Sequence, residues 1–377
     1  MIRIERVVIY TGQVDYHESI AGTTYERFDM AVIELVAGRE SGWGEVCMVD
    51  PAACLPILKD MAGELVGRPL SGPAAALDDV HENRPHGARR ASREGLSMAV
   101  YDLFGRALNV PVSVLLGGAR RREVPAMPCV TLGPHDAMEL RARKWVEAGY
   151  RHLKIKFTGR PEEDLEVTAR IRRAVGPDVE LMIDANSSCR DFDTAVRLVE
   201  ALEPFGVTVV EDIYDGPLDD LRRLRERIKP RLMVDRHAYW PNVFEVLRQG
   251  AADAINLHPR NEGGLDISLR IEALARAAGV ETRIGAAHIL GIGSAAFQIL
   301  GSVIALTMPV EDLGPLRFES HFGASLPGYE ADARRMILKE QFPVKDGCIL
   351  IPDRPGLGID VDRKKLERIT QDVVEMR

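Results

Sequence analysis

Four short apolar segments between residues 151 and 235 each end in charged side chains, and this arrangement constrains the fold more than any other feature. The segments span residues 152–157, 179–186, 207–212 and 232–235. Helix-like stretches separate them, which is the pattern of βα units in a parallel sheet. Because successive parallel strands point the same way, their carboxyl-terminal residues should meet on one face.

That face would carry two lysines from one strand and three carboxylates from the next three: Lys154, Lys156, Asp184, Glu211 and Asp235. The lysines are two residues apart in a strand, so their side chains face the same side. Three carboxylates held together repel one another unless a cation neutralises them, and a hard divalent ion prefers oxygen ligands. A lysine beside such an ion favours its neutral, basic form. The pattern predicts a metal-assisted site that removes a proton from carbon.

Structural alternatives exist for single members of this set. The two lysines could form an ordinary surface pair, and Asn186 could cap the helix that follows. The recurrence of carboxylates at three successive strand ends favours the functional interpretation.

Two histidines fall on the same face. His258 ends the sixth predicted strand and His288 follows the seventh. A lone histidine near a core is usually structural, but these two would approach the lysines and carboxylates. Both are therefore candidates for a second acid or base.

The remaining chain completes an α/β architecture. Further strands are predicted at residues 126–132, 254–259, 282–286 and 310–314, giving the eight that close a TIM-type (β/α) barrel. Residues 1–122 alternate strands and helices as an α+β domain, with a polar loop at residues 14–24 that could cover the site. The barrel should occupy residues 123–320, and the segment 321–377 should pack back on the N-terminal domain.

Composition narrows the functional class. The net charge of −8 argues against nucleic acid and anionic membrane surfaces as partners. No apolar run has the length of a membrane span, and the first residues lack a signal-peptide core. The five cysteines show no paired spacing, which favours reduced thiols in a cytoplasmic protein.

An ordered set of motifs resembles the enolase superfamily, and within it the mandelate racemase/muconate lactonising enzyme group. These motifs are Lys154-x-Lys156, Asp184-x-Asn186, Glu211, Asp235 and Gly263-Gly264, with Gly42-Trp43-Gly44-Glu45 and residues 97–105 and 115–118 resembling the group's capping domain. The resemblance implies a modified barrel under a capping domain built from N-terminal and C-terminal segments. It also implies one Mg²⁺ held by the three carboxylates, and abstraction of the proton α to a carboxylate. Lys156 would be the acid/base, with Lys154 beside it and the substrate carboxylate.

The chain departs from both branches of that group. Members resembling muconate lactonising enzyme carry a lysine at the position of His258, and members resembling mandelate racemase carry an aspartate there, paired with a histidine at His288. Arg236 stands where a glutamate is common. We expect a homo-oligomer acting on a small carboxylate by racemisation or epimerisation. The alternatives are dehydration of an acid sugar or hydroxy acid, and cycloisomerisation.

Overall fold

The N-terminal part is built from long strands and one long helix. A computed structural model describes residues 1–20, 23–48, 50–77, 87–286, 289–312 and 337–377. The elements are β1 (Ile2–Arg3), β2 (Arg6–Ile20), β3 (Thr23–Ala37), β4 (Glu40–Met48), α1 (Pro51–Gly63), β5 (Pro69–Leu70), a 3₁₀ turn (Pro73–Ala75), α2 (Ala88–Ala107) and α3 (Val112–Leu115).

From residue 123 onward, strands and helices alternate. The elements are β6 (Glu123–Val130), α4 (His135–Glu147), β7 (His152–Lys156), α5 (Pro161–Val175), β8 (Glu180–Asp184), α6 (Phe192–Leu202), β9 (Val207–Glu211), α7 (Leu218–Arg227), β10 (Arg231–Val234), α8 (Asn242–Gln249), β11 (Ala254–Leu257), α9 (Pro259–Glu262), α10 (Leu265–Ala277), β12 (Glu281–Ile284), α11 (Gly291–Val303) and β13 (Val310–Asp312). The C-terminal elements are β14 (Val344–Lys345), β15 (Cys348–Leu350), α12 (Arg363–Ile369) and β16 (Thr370–Met376).

The eight strands β6 to β13 form a parallel barrel-like sheet, which confirms the predicted fold class. Hydrogen bonding runs in chain order from β6 to β12, and β13 returns to pair with β6 in parallel. The lower interior is closed by a layer of small and flexible apolar side chains: Met127, Met182, Val209, Met233, Ala254 and Met308. The barrel is thus packed below and carries its polar groups at the carboxyl ends of the strands.

The N-terminal sheet is antiparallel and has the order β16-β2-β3-β4. One of its four strands, β16, comes from the C-terminal segment and was not predicted, because apolar and polar residues alternate only weakly in Thr370–Met376. In the structure this strand is largely exposed. The C-terminal segment also meets the barrel, where β15 pairs antiparallel with the start of β6. The exact domain boundaries stay a prediction.

Helix α2 lies directly on β4, and glycines make this close approach possible. A Cβ atom on Gly44 would lie 1.9 Å from the carbonyl oxygen of Gly95. Any side chain at Gly44 would therefore force the helix off the sheet.

The polar loop expected at residues 14–24 is wrong as a secondary-structure prediction. Strand β2 continues to Ile20 and β3 begins at Thr23, with Ser19 paired to Thr24 across the hairpin. The turn at residues 21–22 lies outside the described residues. Whether the hairpin covers the site stays a prediction.

Charged contacts join the N-terminal sheet layer to the barrel near the sixth and seventh strands. Arg93 of α2 donates to both carboxylate oxygens of Asp266 at 2.9 Å. Glu45 of β4 accepts from the backbone N–H groups of Leu290 at 2.5 Å and Ile292 at 3.1 Å. These bonds fix the N-terminal domain over the carboxyl ends of the strands. Among the helices that the structure describes, none combines the length and apolar character needed to cross a membrane.

Candidate active site at the carboxyl ends of the barrel strands

Both lysines of β7 lie inside the barrel. Lys154 is 2% exposed and Lys156 is 7% exposed. The Nζ atom of Lys154 lies 2.9 Å from Asp184 Oδ2, 3.2 Å from Glu211 Oε2 and 3.0 Å from Glu311 Oε2. Lys156 Nζ donates to Asp184 Oδ2 at 2.6 Å. The alternation of side chains along a strand brings the two ammonium groups to one side, as the sequence predicted.

The neighbouring strands bring the carboxylates to these lysines. Asp184 ends β8, Glu211 ends β9, and the two residues are direct partners in the parallel register. Asp235 follows β10 by one residue. Burial acts to raise the pKa of Asp184, but Lys154 and Lys156 offset this effect and hold that pKa below its ordinary value.

Asp235 has a different environment. Its Oδ1 atom is buried and has no hydrogen-bond partner among the described residues. Burial raises the pKa of Asp235 well above its ordinary value, and Asp212, Glu211 and Asp184 raise it further. A carboxylate with a buried, unbonded oxygen beside other carboxylates is costly unless a cation compensates it.

Asp212 belongs to the same cluster, although sequence reasoning passed over it. Its φ angle is +42°, in the left-handed region. Its carboxylate accepts from the backbone N–H of Asp235 at 2.9 Å and of Arg236 at 3.2 Å. Burial and the charge of Glu211 raise the pKa of Asp212 to about 7. Asp212 thereby fixes the backbone that presents Asp235.

Arg236 lies at the rim of the cluster. Its side chain is half exposed, its Nη2 donates to the Asn186 carbonyl at 3.2 Å, and its Nε is 3.8 Å from Asp212 Oδ2. The guanidinium thus bridges the loops after the third and fifth barrel strands.

Three further interior residues were missed by sequence reasoning: Asn256 on β11, Arg283 on β12 and Glu311 on β13. Asn256 donates to Glu211 Oε1 at 2.5 Å, and Arg283 Nη2 donates to Glu311 Oε2 at 3.2 Å. Attention to strand ends alone overlooked them. The period-two rule would have identified Asn256, which is two residues before His258 on the same strand.

The protonation state of the two lysines differs from the neutral form that the sequence predicted. Burial acts to lower the pKa of Lys154, yet Asp184, Glu211 and Glu311 raise it well above its ordinary value. Burial also acts to lower the pKa of Lys156, but the charge of Asp184 outweighs burial, and the pKa of Lys156 is raised as well. The neutral form expected from the sequence is not favoured while these carboxylates act on the lysines alone.

The cluster has the chemistry of a divalent-cation site. No three His, Cys, Asp or Glu side chains in the described part of the chain are gathered closely enough to hold a metal, and Lys154 contacts both Asp184 and Glu211 instead. Five carboxylates, Asp184, Glu211, Asp212, Asp235 and Glu311, face four cationic side chains, Lys154, Lys156, Arg236 and Arg283, which leaves one formal negative charge. Oxygen donors, the unbonded Asp235 oxygen and this charge excess all fit a hard divalent ion.

His258 lies on the far side of the ring from Lys156. Its strand, β11, is four places from β7 in a ring of eight. The residue is 6% exposed, and its backbone N–H donates to Glu262 Oε1 at 2.9 Å. His288 lies outside the described residues, so its part in the site stays a prediction.

Comparison with known proteins identifies two matching family profiles. "Mandelate racemase / muconate lactonizing enzyme, N-terminal domain" matches residues 6–117, and "Enolase C-terminal domain-like" matches residues 137–365. Together they span most of the chain.

Individual relatives match over nearly the whole length. The o-succinylbenzoate synthase of Geobacillus stearothermophilus is 30% identical over 98% of this chain and 96% of that protein. A chloromuconate cycloisomerase of Pseudomonas putida is 27% identical over 93% of each chain. The crystal structure of N-succinyl Arg/Lys racemase from Bacillus cereus superposes with a TM-score of 0.85 at 19% identity, covering 100% of both chains, which shows the shared fold.

Proposed function

The chain belongs to the enolase superfamily, in its mandelate racemase/muconate lactonising enzyme group, and from that membership we propose that it racemises or epimerises a small carboxylic acid. Enzymes of this superfamily form an enolate with a Lys or His base and Mg²⁺. The observation that carries the specific proposal is the placement of Lys156 and His258 on strands four places apart in the barrel, with the carboxylate cluster between them.

Asp184, Glu211 and Asp235 would hold one Mg²⁺ ion. The two oxygens of the enolate would gain electrostatic stabilisation from that bound ion. The Lys154 ammonium, held by three carboxylates, would donate to a substrate carboxylate oxygen and so orient the substrate. Asp212 keeps the loop of Asp235 in position through its two backbone hydrogen bonds.

The proton transfers balance between two residues. The neutral Lys156 amine takes the α-proton, the C–H bonding pair moves toward the substrate carboxylate, and lysine becomes an ammonium. The His258 imidazolium then donates its proton to the α-carbon from the opposite face. The product has inverted configuration, and the reverse reaction uses the same two groups with their roles exchanged.

The decisive experiment is incubation with Mg²⁺ in D₂O and a set of amino acids, N-acyl amino acids, hydroxyprolines and acid sugars. NMR and mass spectrometry then follow deuterium and configuration. An α-deuterated product of inverted configuration supports the proposal. Loss of water would instead identify a dehydratase, and ring formation without change of mass a cycloisomerase. The similarity to a cycloisomerase over 93% of the chain makes that outcome a rival.

The second acid/base is assigned by two variants. His258→Asn should stop inversion yet leave Lys156 exchanging the α-proton of one enantiomer with D₂O. His288→Asn is the second variant, because members resembling mandelate racemase carry a histidine at the position of His288. If neither variant alters product formation, the opposite-face acid lies elsewhere.

A further inference from the structure

A cavity of ≈ 300 Å³ opens beside Lys156, between the first and second βα units of the barrel. Its lining comes from the β6–α4 connection, α4, the β7–α5 loop and α5. Lys156 is the one member of the lining that also belongs to the site described above. The space therefore borders the residue at which the proton would be removed. Its volume is at the lower end of the range for small-molecule sites.

The wall of the cavity is held in place by hydrogen bonds. The Asp164 carboxylate accepts from Thr158 N at 2.8 Å, Thr158 Oγ1 at 2.9 Å and Gly159 N at 3.0 Å. Gly159 has a φ angle of +80°, and a Cβ atom there would lie 2.6 Å from Ser188 Cβ. The loop is thus fixed from α5 on one side and packed against the next βα loop on the other. The cavity is preformed.

The charged groups around the cavity are paired with one another. Arg160 Nη2 lies 2.5 Å from Glu163 Oε2, and His135 Nδ1 lies 3.5 Å from Glu166 Oε1. The oxygens of Asp164 already have three donors, and Lys156 donates to Asp184. The two buried charges of the lining, Asp164 and Lys156, are therefore engaged within the protein, whereas Arg160 and Glu163 form a solvent-exposed pair. The inner wall is apolar, with Met138 2% exposed and Val167 3% exposed, and Leu132 beside them.

From this geometry we infer that the cavity binds an uncharged, largely apolar arm of the substrate. The arm extends from the carbon that loses its proton, and Met138 and Val167 form the surface it contacts. This inference rests on the proposed function only in taking the substrate carboxylate to lie at the cluster of Asp184, Glu211 and Asp235. The inference specifies the substrate side chain, which the reaction at the carboxylate does not determine.

The test is a binding measurement that needs no turnover. Full-length protein carrying ¹³C-methyl methionine is titrated with acetate, butanoate, hexanoate and octanoate in the presence of Mg²⁺. Met138→Leu assigns the Met138 signal, and Met182, in the layer below the site, is the internal control. We expect the Met138 methyl to shift with hexanoate and octanoate and not with acetate. Each added CH₂ should tighten binding roughly three- to four-fold.

A variant fills the space. Met138→Trp should remove the gain with chain length while leaving acetate binding unchanged. Should this variant misfold, Val167→Ala serves instead, because a wider cavity should favour octanoate over hexanoate more strongly than in the wild-type protein. Adipate is the matched charged probe for hexanoate. Tighter binding of adipate, lost in Arg160→Ala, would overturn the assignment of an uncharged arm.

The outcomes separate this inference from the proposed function. If no substrate undergoes α-proton exchange but Met138 responds to chain length, the cavity assignment stands and the proposed reaction falls. If exchange occurs while Met138 and the dissociation constants are indifferent to chain length, the cavity assignment is wrong and the reaction stands.

Discussion

Two aspartates, Asp102 in the capping domain and Asp235 in the barrel, show how buried carboxylate oxygens can serve different ends. Asp102 accepts from Trp43 N at 2.9 Å, Leu357 N at 2.7 Å and Arg106 Nε at 3.0 Å. Asp235 has a buried oxygen with no partner in the described part of the chain. Both have raised pKa values because of burial. The neighbours of Asp102 oppose that rise, whereas the neighbours of Asp235 are mostly carboxylates that add to it.

The difference in hydrogen bonding indicates which buried carboxylates are candidates for a functional role. Asp102 ties β4, α2 and the C-terminal segment together, and its hydrogen bonds account for its presence. One oxygen of Asp235 has no hydrogen-bond partner in the described part of the chain, and Asp212, Glu211 and Asp184 repel its charge. An arrangement that costs stability in the protein alone is expected where a ligand later provides the compensating charge.

The largest expected effects come from replacing the cationic side chain in each region, Lys156 in the barrel and Arg106 in the capping domain. Lys156→Ala should lower α-proton exchange by on the order of 10² to 10⁴ without unfolding the protein, since it removes the proposed base while Asp184 keeps Lys154 at 2.9 Å as a charged partner. Arg106→Ala should do the reverse, keeping kcat and lowering the free energy of unfolding by about 1–3 kcal/mol, because Asp102 loses its charged partner. Exchange rates in D₂O and urea unfolding measure the two effects.

The control for Lys156→Ala is Lys339→Ala, which removes an exposed lysine. If Lys156→Ala retained wild-type exchange, the assignment of the base would be wrong. If Arg106→Ala abolished turnover without loss of stability, the contrast between the two regions would fail.

The second effect concerns metal affinity. Asp235→Asn should weaken Mg²⁺ binding by at least about 10²-fold, because a neutral amide replaces a carboxylate ligand of a hard cation. Calorimetric titration measures the affinity, and chelation of the wild-type protein should abolish turnover that added Mg²⁺ restores. The matched Asp102→Asn variant should bind Mg²⁺ as the wild-type protein does. Unchanged affinity in Asp235→Asn would remove this residue from the ligand set.

The same two variants should differ in the metal-free protein. Asp102→Asn should lose about 1–3 kcal/mol of unfolding free energy, because one buried donor faces an amide N–H instead of an oxygen. Asp235→Asn should be as stable as the wild-type protein or more stable, since it removes a repelled charge. Urea unfolding in the presence of a chelator gives both values. A marked loss of stability in Asp235→Asn would show that the aspartate is structural after all.

The sequence predicted most of the fold and the proposed core of the site because both depend on local patterns. Apolar runs ending in Asp184 and Glu211 define strand direction, and strand direction gathers their ends. Arg283 and Glu311 could not be placed in this way, since a charged residue inside a strand has the same local signature whether it faces the interior or solvent. Strand β16 pairs with β2, which lies more than 350 residues away in the chain. This pairing is made by backbone hydrogen bonds, and the mostly polar side chains of β16 give no pattern from which it could be predicted.

The last expected effect is a pH dependence at the contact between the capping domain and the barrel. Burial raises the pKa of Glu45 to about 7, although it accepts backbone hydrogen bonds from Leu290 and Ile292. The folded state therefore holds this proton more tightly than the unfolded state. The resulting stability is fully present below the ordinary carboxyl pKa and is lost as the pH rises to about 7. The expected loss is on the order of 1–3 kcal/mol.

Glu45→Gln should remove this part of the pH dependence, because the amide does not titrate. Glu94, whose pKa burial and Glu45 both raise, and Glu262, with a pKa of about 7, titrate in the same region of the molecule. The informative quantity is therefore the difference between variant and wild-type unfolding free energies from pH 4 to 8 rather than either profile alone. Glu40→Gln, at an exposed position of the same strand, is the control and should leave the profile unchanged. Parallel profiles for Glu45→Gln and the wild-type protein would mean that Glu45 stays charged in the folded state, compensated by its backbone donors as Asp102 is by its own.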